Sequence, residues 1–131
     1  MSESNLYKQK IIDHYKNPRN KGKLVAPEYK ASVNNSVCGD EVKVYIDVEE
    51  GKIKDVKHEA TGCAICVAGM SMLSELLPGM QIEEVRQMKS EYMLELLGMQ
   101  KRSPRIKCAV LGLDAVHRAL DSGEDDPCDF C

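Results

Sequence analysis

The most constraining feature of the sequence is a change of period in its middle third. Val42, Val44, Ile46 and Val48 alternate with Glu41, Lys43, Tyr45 and Asp47. Period two marks a strand with one buried face. Glu49-Glu50-Gly51 then predicts a tight turn into a second strand over Lys52 to Ala60. Past Thr61-Gly62 the apolar spacing becomes helical, through Ala64, Ile65, Val67, Ala68, Met72, Leu73, Leu76 and Leu77, and stops at Pro78-Gly79. Two strands alone are marginal in water, so the hairpin needs a third strand or a covering helix. Tyr29 to Val37 is the candidate for that antiparallel neighbour.

Helical spacing recurs at both ends of the chain. Tyr7, Ile11 and Tyr15, flanked by Leu6 and Ile12, share a face between Asn5 and Tyr15; Ser4 is the expected N-cap and Asn17-Pro18 the stop. Lys16 to Pro27 reads as an irregular basic connection. Short helical pieces are expected at about Ile82 to Met88 and Glu91 to Leu97, the second ended by Gly98. A last helix is expected over about Cys108 to Leu120, with Val110, Leu113, Val116 and Leu120 as its buried stripe and Gly123 in the C′ position. Strands followed by helices, with no βαβ alternation, define an α+β class. The chain is 131 residues long, a length that favours one domain. The expected division is a single domain over residues 1–122 and an acidic, cysteine-containing, flexible tail, G-E-D-D-P-C-D-F-C, over residues 123–131.

Charge and cysteine content narrow the function classes. The net charge is −3, with no basic stripe to neutralise phosphates, which argues against a nucleic-acid binder. Basic residues do gather at Lys16 to Lys23 and Lys101 to Lys107, as solvated faces or as docking points for an acidic partner. The N-terminal stretch M-S-E-S-N-L-Y-K-Q-K has no apolar run of the secretory type, and no segment approaches membrane-spanning length. A cytoplasmic location without membrane contact is therefore expected. Six cysteines in a reducing compartment point to metal binding or thiol chemistry rather than disulfides.

Three of those thiols occupy comparable places: Cys38 before a strand, Cys63 at the strand-to-helix junction, and Cys108 at the start of the last helix. Helix N-termini favour anions, so Cys63 and Cys108 are expected to ionise readily, with Arg105 and Lys107 adding positive charge beside Cys108. Converging thiolates select zinc, copper(I) or iron–sulfur clusters. Asp40 can add an oxygen, since Gly39 lets the backbone turn both Cys38 and Asp40 toward one centre. Three sulfurs and one oxygen suit either tetrahedral zinc or the open edge of a [2Fe-2S] cluster. An oxygen ligand would make such a cluster easier to release.

Four blocks carry a family resemblance: H-Y-K-N-P-R-N-K-G at His14 to Gly22, C-G-D at Cys38 to Asp40, G-C at Gly62-Cys63, and R-I-K-C at Arg105 to Cys108. In this order and spacing the chain resembles the IscU/SufU/NifU-type iron–sulfur cluster assembly scaffolds, from about Tyr7 to Leu120. The resemblance implies a three-stranded antiparallel sheet packed against four to six helices. It implies that Cys38, Asp40, Cys63 and Cys108 hold the cluster, and that Cys108 is the position receiving persulfide sulfur from a cysteine desulfurase of the IscS/SufS type. Apo iron–sulfur proteins or a carrier would take the product. Such a protein is a scaffold and sulfur acceptor rather than an enzyme; whether it forms a homo-oligomer stays open.

The chain departs from both branches of that family. IscU has a histidine directly before its last site cysteine, within an L-P-P-V-K chaperone-binding stretch, whereas here S-P-R-I-K-C places Lys107 there. A protonated lysine cannot ligate metal, which makes Asp40 the expected fourth ligand. The R-I-K-C and H-Y-K-N-P-R-N-K-G blocks look SufU-like, yet Pro78 to Pro104 looks too short for the insertion of that branch. The alternative function is thus a zinc-bound SufU-type sulfur acceptor that activates a desulfurase. Cys66, one helical turn past Cys63 in C-A-I-C, is either a buried small residue or an auxiliary ligand or relay; Cys128 and Cys131 form a C-D-F-C pair that could shuttle sulfur or cap the site. A thiol–disulfide oxidoreductase using either pair lacks the expected βαβ context. His14, His58 and His117 read as structural.

Overall fold

The computed structural model of the chain describes residues 3–35 and 39–122. The element order is α1 (Glu3–Lys16), β1 (Tyr29–Asn35), β2 (Asp40–Glu49), β3 (Lys52–Thr61), α2 (Ala64–Leu76), α3 (Ile82–Arg86), α4 (Ser90–Leu97) and α5 (Ile106–Ser122). The three strands form one antiparallel sheet in the order β1-β2-β3. The expected α+β architecture is present, with five helices among the described residues.

The β2–β3 turn follows from two backbone angles. Glu49 pairs with Lys52, and the two residues between them, Glu50 and Gly51, have φ of 53° and 78°. Two successive positive φ values give the mirror-image turn whose twist matches that of paired strands. β3 is less regular than its partner. Its buried residues Ile53 and Val56 are three apart, a spacing that a regular strand would send to opposite faces. A register shift opposite Asp47 and Val48 absorbs the extra residue, so both side chains reach the core.

The inner face of the sheet presents Ala31, Val33, Val42, Val44 and Ile46, all buried. α5 covers β1 and β2, α2 packs on β3 and α5, and α1 lies against α2. α2 is enclosed on all sides, and every residue from Cys66 to Ser74 is buried. That burial explains its nearly continuous apolar sequence, which a surface helix with one wet face would lack.

The basic connection after α1 remains irregular, but it is tied down. His58 donates its backbone N–H to the Asn20 carbonyl (3.0 Å) and accepts at its own carbonyl from the Gly22 N–H (2.9 Å). The segment thereby occupies the outer edge of β3, which would otherwise present unpaired backbone groups. Side chains from α2 hold it from the other side. Ser71 Oγ accepts the Arg19 backbone N–H (2.8 Å) and lies 2.7 Å from His14 Nδ1, and Asn20 Nδ2 donates to Ser74 Oγ (3.1 Å).

Candidate metal centre

Three elements bring their ends to one point. Asp40 opens β2, Cys63 is the N-cap of α2, and Cys108 lies in the first turn of α5. One ligand atom from each of Asp40, Cys63 and Cys108 lies within 4.8 Å of the others. Zinc–sulfur bonds of about 2.3 Å and zinc–oxygen bonds of about 2.0–2.2 Å require ligand atoms at about this spacing. Asp40 and Cys108 are each 1 % exposed, while Cys63 is part-exposed beside the exposed Thr61 and Gly62. The centre thus has two buried donors and one face toward solvent.

Local chemistry explains why Asp40 sits where it does. Its Oδ1 accepts a hydrogen bond from the Cys63 backbone N–H at 2.9 Å, which ties the start of β2 to the start of α2. Its Oδ2 is buried and has no hydrogen-bond partner among the described residues. A buried carboxylate oxygen without a donor is costly, by roughly 1–3 kcal/mol or more for a charged group. A cation held between this oxygen and the two sulfurs removes that cost, so the donor set fits a metal or a cluster iron. Gly62 makes the approach possible. It has φ +129°, and a Cβ built there would collide with Asp40 Oδ1 and lie 2.8 Å from the Asp40 Cα. The G-C block therefore combines a close backbone approach with a candidate ligand, and its sequence alone did not reveal that approach.

Both helices aim their N-termini at this centre. The Cys63 carbonyl accepts the Val67 N–H (3.1 Å), as an N-cap carbonyl does, and α5 begins at Ile106 rather than at Cys108 as the sequence suggested. The difference arises because the apolar stripe that marked the helix starts later than the helix, whose first residues, Ile106 and Lys107, face outward or sit at its margin. Cys108 gains from it: a first-turn position lies within reach of unpaired amide groups and the positive end of the helix dipole.

The remaining residues of interest divide clearly. Cys38 lies outside the described residues, two positions before Asp40; Gly39 has φ +75° and donates its N–H to the Asn35 carbonyl at 2.8 Å. Cys128 and Cys131 also lie outside them, as does Gly123. Cys66 is 1 % exposed within the core, and its thiol is pushed up to about 12, first by burial and then by the negative charge of Asp40 and Cys63. It is not among the atoms that converge. Arg105 and Lys107 are exposed at the start of α5. Each histidine meets a fixed partner: His14 meets Ser71, His58 Nε2 lies 2.7 Å from the Arg19 carbonyl, and His117 Nε2 lies 2.8 Å from the Val85 carbonyl.

The chain is similar to several known proteins. The family described as NifU-like N terminal domain matches residues 6–125. The iron-sulfur cluster assembly scaffold protein IscU 1 of Archaeoglobus fulgidus is 36 % identical over 115 residues, covering 88 % of this chain and 74 % of that protein. The zinc-dependent sulfurtransferase SufU of Bacillus subtilis is 33 % identical, covering 91 % of this chain and 92 % of that protein. The scaffold protein IscU of Azotobacter vinelandii is 36 % identical, covering 87 % and 91 %. Among solved structures, the SUF-system protein FiSufU of Fervidobacterium islandicum superposes with a TM-score of 0.77 at 26 % identity, covering 91 % of this chain and 99 % of that one.

Proposed function

Because the chain belongs to the NifU-like N terminal domain family, we propose that it is an iron–sulfur cluster assembly scaffold. It accepts sulfur from a cysteine desulfurase, builds a labile [2Fe-2S] cluster on Cys38, Asp40, Cys63 and Cys108, and passes the cluster to apo-proteins. The observation that carries this reading is the convergence of Asp40, Cys63 and Cys108 with one carboxylate oxygen left buried and unpartnered. Cys38 supplies the third thiolate from the chain immediately before Asp40. Cys108 receives the persulfide, and the part-exposed Cys63 faces the side from which iron and donor approach. Asp40 contributes the hard oxygen that lets the product leave. The protein acts as scaffold and sulfur acceptor in the cytoplasm; among the described residues no helix is long and apolar enough to cross a membrane.

A second reading, a zinc-bound sulfur acceptor that activates its desulfurase, is supported by the same donor set and by the SufU relative. One observation favours the scaffold. The alignment with SufU runs over 136 residues while taking in 91 % of this 131-residue chain, so that relative contains residues with no counterpart here. The alignment with the Azotobacter IscU runs over 118 residues for 87 %. Anaerobic incubation with iron, cysteine and a cysteine desulfurase tests the reading. Visible cluster absorption is expected in the wild type. Asp40→Ala should alter the rate at which cluster moves to an apo-ferredoxin; an unchanged rate contradicts the role given to the oxygen ligand.

A further inference from the structure

Two glycines stand in the interiors of helices that pack together, Gly69 in α2 and Gly112 in α5, and both are buried. Glycine is the poorest helix former after proline, so neither serves the helix that contains it. What each one faces differs. A Cβ at Gly69 would lie 3.5 Å from the Ala109 carbonyl oxygen, from Leu97 Cδ1 and from Met93 Cε, which is ordinary contact. A Cβ at Gly112 would lie 3.0 Å from Met70 Sδ, 3.3 Å from Met70 Cα and 3.4 Å from Met70 Cβ, so α2 would have to give way by a few tenths of an ångström. Met70 is fully buried, and a close-packed core leaves its side chain little space to turn into. α2 and α5 are thus already in close contact where Met70 sits on Gly112.

That contact lies on the same helix faces as the converging thiols. Gly112 follows Cys108 by four residues, one turn and about 6 Å along the axis of α5. Along α2, Cys63, Cys66 and Met70 are spaced three and then four apart and fall on one stripe. The ends of these two faces carry the sulfurs that meet Asp40, and deeper turns of the same faces rest on each other through Met70 and Gly112. Asp40 and Cys63 are tied together by the 2.9 Å hydrogen bond between Asp40 Oδ1 and the Cys63 amide. Cys108 comes from the other helix, so its distance from them depends on how α5 sits on α2. A ligand set must be held within about 0.5 Å of its working geometry. The few tenths of an ångström that a methyl at Gly112 demands are a large part of that tolerance.

We propose that Met70 and Gly112 form a matched pair that sets the distance between Cys63 and Cys108, as positioning residues for the metal centre rather than ligands of it. The inference rests on the metal-holding role proposed above and extends it into the core, one turn beyond Cys108. Residue size at position 112 then governs how tightly and in what geometry the centre grips an ion. Gly69 belongs to the same crossing but has room for a methyl, so its size does not carry that control.

Anaerobic titration of the metal-free full chain with cobalt(II), followed by competition with zinc, tests this. Tetrahedral cobalt on thiolates reports its geometry through sulfur-to-cobalt charge-transfer bands and visible ligand-field bands. Wild type should show both. Gly112→Ala should bind either ion about tenfold more weakly, with fainter ligand-field bands, while its metal-free urea melt stays cooperative. Gly69→Ala should keep the wild-type affinity and spectrum. M70A/G112A should regain most of the lost affinity, because the tightest contact at Gly112 is with Met70 Sδ. Wild-type affinity and bands in Gly112→Ala overturn the proposal, as does an equal loss in Gly69→Ala or no recovery in the double variant. A Gly112→Ala chain that is unfolded without metal overturns it as well, since the pair would then hold the core together rather than space the ligands. If wild type itself shows no sulfur-to-cobalt bands, the metal-holding role fails; unchanged bands in every variant sink the pair alone.

Discussion

Asp40 Oδ1 holds the Cys63 amide, while Oδ2 stands buried with no hydrogen-bond partner among the described residues. The two oxygens predict opposite effects of one substitution. In Asp40→Asn the carbonyl oxygen keeps the Cys63 amide, and a neutral NH₂ replaces the orphaned oxygen. Without metal the variant should equal or exceed wild type in stability, by up to about 1–3 kcal/mol. With zinc present it should gain less, because an amide is a weaker ligand; each tenfold loss of affinity removes about 1.4 kcal/mol of ligand stabilisation. Urea melts with and without zinc read both numbers. A variant that is weaker without metal yet equally stabilised by zinc would mean that Oδ2 is structural only. At this scale the sequence showed which residues could serve as ligands, because thiol and carboxylate chemistry is written in their identity. It did not show Gly62 pressed against Asp40, since a contact between residues 22 positions apart has no local signature.

Elements differed in legibility for physical reasons. β2 was plain because its alternation is unbroken and one face is fully buried, whereas the Ile53–Val56 spacing in β3 makes sense only once the register shift opposite Asp47 and Val48 is known. The turn at Glu50-Gly51 was visible, though a glutamate at φ 53° was not. The stretch Lys16 to Pro27 looked like an irregular basic connection because the anchors of its first part, Ser71, Ser74 and the β3 edge, lie far along the chain. Burial holds the His14 and His58 imidazoles below the usual histidine range, with Arg19 adding to the effect at His14 and the hydrogen bond to the Arg19 carbonyl opposing it at His58. Both histidines are therefore neutral in the fold and take up protons more readily when unfolded. The stability they permit is complete above the unfolded value of about 6.5 and declines as pH falls below it toward their depressed folded values. The urea midpoint should drop between pH 7.5 and pH 5.5, and His58→Gln, which can still donate to the Arg19 carbonyl, should flatten that slope. An identical slope in the variant would exclude His58 as a source.

At the scale of the whole molecule, the centre exists because a sheet and two helices end at the same place. β2 and α2 are joined there through Asp40 and the Cys63 amide, and α5 closes the third side with Cys108. The α+β class was legible from strands followed by helices, and the matching residues 6–125 span nearly all of it. The convergence was legible only through the family resemblance, because it depends on how α5 crosses the sheet, which no local period encodes. Metal and acid-labile sulfide content of the protein isolated without oxygen tests the central claim most directly. The account predicts iron and sulfide in equal amounts, both lost in Cys63→Ser and Cys108→Ser; stoichiometric zinc, with no iron taken up on reconstitution, would contradict it.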